Sequence, residues 1–188
     1  MPKLGVIIAS VREGRAGAAV GEWFADIARR HAEFDVTVID LLHHQLPLLQ
    51  EPNHPRLHRY THDYTIAWSE VIEPMDAFVL ILPEYNYGAP PALLNALDYL
   101  YREWHYKPVG IVSYGALAAG TRSAQMIKLV LLALKMVPIF ECVTIPFIAE
   151  HRDKATGALM GVDEKPAVTM LNELVRWTSA LASLRNHA

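Results

Sequence analysis

The chain has 188 residues, 52% of them apolar and 20% charged, the balance of one domain that buries a core rather than of a disordered segment. Seventeen Lys plus Arg against twenty Asp plus Glu give a net charge of −3, with no run of like charge, which argues against a nucleic-acid or anionic-membrane partner. The longest uncharged stretch, Pro108 to Thr121, falls short of the ~18–20 apolar residues that span a bilayer.

Leu4 to Ala9 is too short an apolar run for a signal-peptide core and has no small-residue cleavage pattern after it. With a single cysteine, Cys142, no internal disulfide forms, so the expected location is the cytoplasm. The same Leu4 to Ala9 run reads as a first strand, followed by Val36 to Ile39, Ala77 to Leu82, Val109 to Val112 and Ile139 to Ile145. The first, third and fourth are almost wholly apolar, as strands covered on both faces are. The fifth alternates and reads as an edge. Between the first two strands, Val20, Trp23, Phe24, Ile27, Ala28 and His31 fall at helical spacing and put one apolar stripe against the sheet. Leu57 to Glu73, Pro91 to Trp104, Ser123 to Met136 and Lys165 to Leu184 supply four more helical patterns. Alternating strands and helices predict an α/β fold with a parallel sheet, one domain over residues 1–188. Residues 41–56 and 146–162 are irregular.

In an open α/β sheet, ligands sit outside the carboxyl ends of the strands. Three loops leave such ends. Ser10-Val-Arg-Glu-Gly-Arg-Ala-Gly17 combines a hydroxyl, two guanidinium groups and a helix start, which suits an anion such as phosphate, with Arg12 or Arg15 available for bidentate pairing. It has neither the G-x-G-x-x-G nor the G-x-x-x-x-G-K-[ST] spacing, which disfavours ATP and a Rossmann-bound dinucleotide. Pro83-Glu-Tyr-Asn-Tyr-Gly-Ala-Pro-Pro91 forms a stiff aromatic ledge for a flat heteroaromatic ring. Ser113-Tyr-Gly-Ala-Leu-Ala-Ala-Gly-Thr-Arg122 is nearly bare of side chains, so its backbone can approach a ligand, and Arg122 beside it can offset negative charge.

With those loops in view, the sequence resembles the NAD(P)H-dependent FMN reductases of the flavodoxin-like fold, which include quinone, azo-dye and chromate reductases. Their hallmark, roughly P-E-Y-N-x-S-x-P, then proline or glycine and L-K-N-A-[IL]-D, is carried by Pro83 to Pro90 and Leu93 to Asp98. The likeness extends over roughly residues 3–136, taking in Ser10 to Arg12 and Lys107 to Gly115. Gly88, Leu94 and Ala116 depart from it, standing where Ser, Lys and a second glycine are usual. The resemblance implies a flavodoxin-like sandwich with strand order 2-1-3-4-5, noncovalent FMN, NADPH or NADH as cosubstrate, and a homodimer or homotetramer. By motif position, Ser10, Arg12, Arg15, Ala16 and Gly17 would hold the phosphate. Pro83, Glu84, Tyr85, Asn86 and Tyr87 would line the ring, and Ser113, Tyr114 and Gly115 would close it. Hydride would pass from nicotinamide to flavin, then on to a quinone, an azo compound, a metal oxyanion or a free flavin, with no side-chain acid required.

Other constellations are weaker. His54, His58 and His62 fall at one-turn spacing, but the outer two on a helix would stand about 12 Å apart, so no single ion reaches all three. They read as a polar rim. There is no G-x-S-x-G elbow, and Cys142 occupies a strand position where a small hydrophobe is expected. Glu84 and Asp98 have nothing to mark them as an acid–base pair. Ser123 to Met136 is apolar nearly all round, which predicts a subunit contact extended by Leu93, Leu94, Leu97, Tyr101 and Trp104. An electron-carrier flavodoxin and a flavin-dependent redox sensor are the competing readings; the mild net charge disfavours the first.

Overall fold

The computed structural model describes residues 1–185. Strands β1 (Lys3–Ile8), β2 (Asp35–Asp40), β3 (Ala77–Pro83), β4 (Pro108–Tyr114) and β5 (Val137–Ile145) form one parallel sheet in the order β2-β1-β3-β4-β5. The helices are α1 (Gly17–His31), the one-turn α2 (Leu41–His44), α3 (Asp63–Ile72), α4 (Pro91–Asp98), α5 (Thr121–Ala133) and α6 (Lys165–Arg185). Every residue of β3 and β4 is buried, whereas β2 and β5 alternate at the two edges.

Side chains along a strand point alternately to the two faces, and the core divides accordingly. Leu4, Val6, Ile8, Val79 and Ile81 pack with Val20, Phe24 and Ile27 of α1 and with Met170, Leu171 and Leu174 of α6. Ile7, Phe78, Leu80 and Leu82 pack on the other face with Trp68 of α3, Leu93 and Leu97 of α4, and Ile127 and Leu131 of α5. Gly21 lets α1 lie close on β1, since a Cβ there would stand 2.5 Å from Ile8 Cδ1.

Two expected helices are shorter than their patterns. Leu57–Glu73 is a 3-10 turn over Pro55–Leu57, an irregular stretch, then α3. Leu57 has no apolar face to cover and is exposed, His58 turns left-handed at φ 50°, and the Glu51 carboxylate takes the Thr61 and His62 amides. Local side-chain hydrogen bonds thereby outcompete the helix. His54, His58 and His62 consequently share no helix face. His54 Nδ1 accepts the Arg56 amide, His58 faces Glu103 at 3.4 Å, and His62 stacks on Tyr64. Pro91–Trp104 likewise ends at Asp98, before a 3-10 turn over Arg102–Trp104. Glu103 is drawn inward there and accepts from Tyr60 Oη and Ser69 Oγ.

Leu93, Leu97 and Trp104 belong to the core, not to the outer surface expected of them. The apolar residues facing outward on α5 are Leu129 and Leu132. Cys142 lies within the edge strand β5, as the strand pattern predicts, and its side chain is exposed. No helix among the described residues is long and apolar enough to cross a membrane.

Candidate functional site

The carboxyl ends of β1, β3 and β4 open into the three loops singled out in the sequence, and side chains tie each loop to the others. Ser10, 1% exposed, sits at the end of β1, and its Oγ is 2.5 Å from Tyr85 Oη in the second loop. Arg15 donates to the Ser10 carbonyl at 2.5 Å and closes a two-pronged pair on Asp40 at 2.6 and 2.5 Å. Burial alone would raise the Asp40 carboxyl, but the hydrogen bonds from Arg15 and the Leu42 amide outweigh it and hold the group below its ordinary value. Arg15 thus shapes the loop. Arg12 extends outward, with one N–H on the Glu13 carbonyl at 3.1 Å.

The loop runs into α1 through Ala16, which offers no side-chain cap, and the helix has no acid in its first turn. The amides at the head of α1 therefore lack the partners that a Ser or Asp cap would supply. A Cβ on Gly17 would lie 2.7 Å from Tyr114 Oη, so glycine keeps this corner open and brings β4's end against α1.

In the second loop Tyr85 and Gly88 exchange both backbone hydrogen bonds, at 3.0 and 2.9 Å. Asn86 and Tyr87 between them take φ of 50° and 70°, the pattern of a type I′ turn. A left-handed tyrosine costs about 1 kcal/mol or more. The turn keeps that strain and holds the Tyr87 ring out at the mouth, 68% exposed. Glu84 reaches the third loop: its carboxylate accepts from Arg122 Nη1 at 2.6 Å and from the Arg122 amide at 3.2 Å. The Arg122 guanidinium lies 4.2 Å from the Tyr87 ring centre, within cation–π range.

The third loop needs Gly120, which has φ 77° and where a Cβ would stand 2.8 Å from the Tyr114 backbone. Its turn is pinned from behind, as the Phe147 and Ile148 amides donate to the carbonyls of Ala116 and Gly115. Ala116 therefore serves a backbone contact that tolerates a methyl group. Ser113 Oγ and Tyr114 Oη are buried without partners, and burial pushes the Tyr114 hydroxyl well above its ordinary value.

Two orphaned hydroxyls, an uncapped helix start and a small-residue corner, all on one rim, leave polar capacity for a ligand with an anionic end and a hydrogen-bonding edge. Pro83, the last residue of β3, sits on the same rim. Two contributors have no role assigned to them by the sequence. Asp40, at the end of β2, was legible only as an acid closing a strand. Asn95 of the hallmark clamps residues 47–49 to α4, donating to the Pro47 carbonyl at 2.7 Å and accepting the Leu49 amide at 2.9 Å.

Comparison with known proteins gives the family. The family model for NADPH-dependent FMN reductase matches residues 2–150, and the chain belongs to that family of flavin-dependent oxidoreductases, with NAD(P)H as electron donor and FMN as the flavin. It is similar to an NAD(P)H-dependent FMN reductase of Schizosaccharomyces pombe, 36% identical over 92% of this chain and 84% of that one. It is 29% identical to a 2-hydroxy-1,4-benzoquinone reductase of a Burkholderia species over 65% of this chain and 66% of the other. In fold it matches the NAD(P)H:acceptor oxidoreductase FerB of Paracoccus denitrificans with a TM-score of 0.73, at 21% identity, covering 96% of this chain and 98% of that one.

Proposed function

We propose that the three-loop rim holds FMN and that the enzyme passes electrons from NADPH or NADH to a flat quinone-type acceptor. The observation that carries this reading is the closed circuit of contacts around the rim: Ser10 to Tyr85, Glu84 to Arg122, and Tyr114 against Gly17. In it, Ser10 and the amides of Ala16, Gly17 and Ala18 receive the phosphate, Arg12 stays outside with its N–H on the Glu13 carbonyl, and Arg15 keeps their loop in shape through Asp40. Pro83, Glu84, Tyr85, Asn86 and Tyr87 form the ledge beside the ring. Ser113, Tyr114 and Gly115 close the ring's polar edge through the end of β4, with the unpartnered Tyr114 hydroxyl turned to Gly17 at the phosphate end.

When bound, FMN supplies the redox chemistry, taking two electrons from a nicotinamide and giving them to an acceptor. The chain's residues orient that ring, keep one face open and hold a cation at the mouth. The reading requires no side-chain acid or base to transfer a proton. A quinone is favoured over a bulky acceptor because the mouth is edged by exposed Tyr87 and Leu117, flat or apolar surfaces on which an aromatic ring stacks. The Burkholderia relative's name points the same way.

The protein is further proposed to work as a homodimer or homotetramer in the cytoplasm. Leu129 and Leu132 of α5 are 74% and 59% exposed and Phe140 of β5 is 90% exposed, an apolar surface of the sort that a second subunit covers. An exposed free thiol at Cys142 suits a reducing compartment.

The test is direct. Purified protein mixed with FMN should quench flavin fluorescence, and NADPH or NADH oxidation should then depend on added quinone. Protein that leaves the fluorescence unchanged contradicts the assignment.

A further inference from the structure

With Arg15 committed to Asp40 and Arg12 reaching outward, the first loop has no inward-facing guanidinium of its own. A third arginine approaches it from the far end of the chain. Residues 146–162, whose role is not legible in the sequence, form a 3-10 turn over Ile148–His151 and a short hairpin in which Arg152 pairs with Leu159. The Asp153 carboxylate closes the hairpin by accepting from the Ala155 and Thr156 amides and the Thr156 hydroxyl.

Arg152, at the base of the hairpin, points to the first loop. Its Nη1 donates to the Gly14 carbonyl at 3.4 Å, a long and weak contact, while its Nε is buried and has no partner among the described residues. Gly14 itself stands in open space at φ 68°. A groove of about 630 Å³ separates the hairpin from α1, with Arg15, Ala18, Ala19 and Arg152 among its walls. Two acids of that groove are held by other arginines, Glu164 by Arg30 and Asp26 by Arg29; Glu22 lies further along α1.

We propose that Arg152 is a phosphate-binding residue, supplying from the hairpin the guanidinium that the first loop lacks. A buried guanidinium edge without an acceptor calls for an oxyanion, and the Nε side of an arginine pairs with two oxygens of a phosphate in one plane. The ligand class is a phosphomonoester dianion at the end of a flavin side chain. The inference rests on the FMN reading and deepens it. It also gives the 146–162 segment a purpose, since that segment pins the third loop through Phe147 and Ile148 and delivers a cation to the first.

The experiment is a fluorescence titration of wild type, Arg152→Met and Arg152→Lys with FMN and, in parallel, with riboflavin, which lacks the phosphate. Circular dichroism serves as the check on folding. Arg152→Met is expected to weaken FMN roughly tenfold or more while leaving riboflavin within about twofold, with Arg152→Lys in between and a shallower salt dependence for FMN in the Met variant. Equal weakening of both flavins would mean that the arginine only props up the hairpin, and unchanged FMN binding would mean that it does not meet the phosphate; either overturns the proposal. Wild-type protein that binds neither flavin would bring down the FMN reading itself, a different result from either of these.

Discussion

Ser10 and Tyr85, 75 positions apart, share a hydrogen bond of 2.5 Å between their hydroxyls, and through it the first and second loops of the rim act as one piece. Tyr85→Phe removes the partner and frees the Ser10 hydroxyl to turn. FMN affinity is expected to fall by about threefold to tenfold, the worth of one hydrogen bond, as read by fluorescence titration, with the urea midpoint little changed.

Glu84 fastens the second loop to the third. Its pair with Arg122 is half exposed on the arginine side, so its direct contribution to stability is about 1 kcal/mol or less. Glu84→Gln should therefore leave thermal unfolding almost unaltered. Turnover with quinone should drop several-fold, because Arg122 and Tyr87 lose their fixed positions at the mouth. Steady-state kinetics beside a melting curve separates the two effects.

Glycine positions 88 and 120 should behave oppositely. At Gly88 an added Cβ meets Met126 Cε at 3.5 Å and the Tyr85 carbonyl at 3.6 Å, ordinary contacts. Gly88→Ser, which restores the usual family residue, is expected to change stability by no more than about 0.5 kcal/mol. Gly120→Ala forces a Cβ to 2.8 Å from the Tyr114 backbone at positive φ and should cost about 2 kcal/mol or more. Urea denaturation of both variants checks the contrast.

Asp40 carries an acid-side pH dependence. Its folded pKa lies below the ordinary 3.8, so the stability it contributes is fully present above that value and is lost as pH falls through the folded one. Asp40→Asn leaves Arg15 without its carboxylate and should destabilise the protein by about 3 kcal/mol at pH 7. The difference from wild type should narrow below pH ~4, measurable as urea midpoints from pH 3 to 7.

Lys107 acts at the other end of the scale. Its buried ammonium donates to the carbonyls of Ile72 and Glu73 at the end of α3, and burial lowers its pKa to about 8 from 10.5. Between those two values the unfolded chain holds more protons than the folded one, so this group makes stability rise with pH there. Lys107→Met should remove that rise and show a flatter midpoint profile from pH 8 to 9.5.

How much of this was legible beforehand differs from element to element. Hydrophobic runs locate β1, β3 and β4 because a strand buried on both faces must be apolar along its length, shorter or alternating runs mark the edge strands β2 and β5, and the order in the sheet follows from the resemblance. Helix ends differ from the sequence pattern where a carboxylate takes backbone amides, at Glu51 and Glu103, since such capture depends on how the chain turns there and not on apolar spacing. The loops were visible because glycine, proline and paired aromatics punctuate them.

Local residue order alone sets the alternation of strand and helix and the chemical character of the three loops. Folding in three dimensions settles which side chains meet. It gave Arg15 to Asp40, Glu84 to Arg122 and Gly14 to Arg152, and it turned Leu93 and Leu97 into the core while leaving Leu129 and Leu132 outside. Hydrogen bonds and burial depend on distances between residues far apart in the chain, and those distances exist only once the sheet has brought the strand ends to one rim.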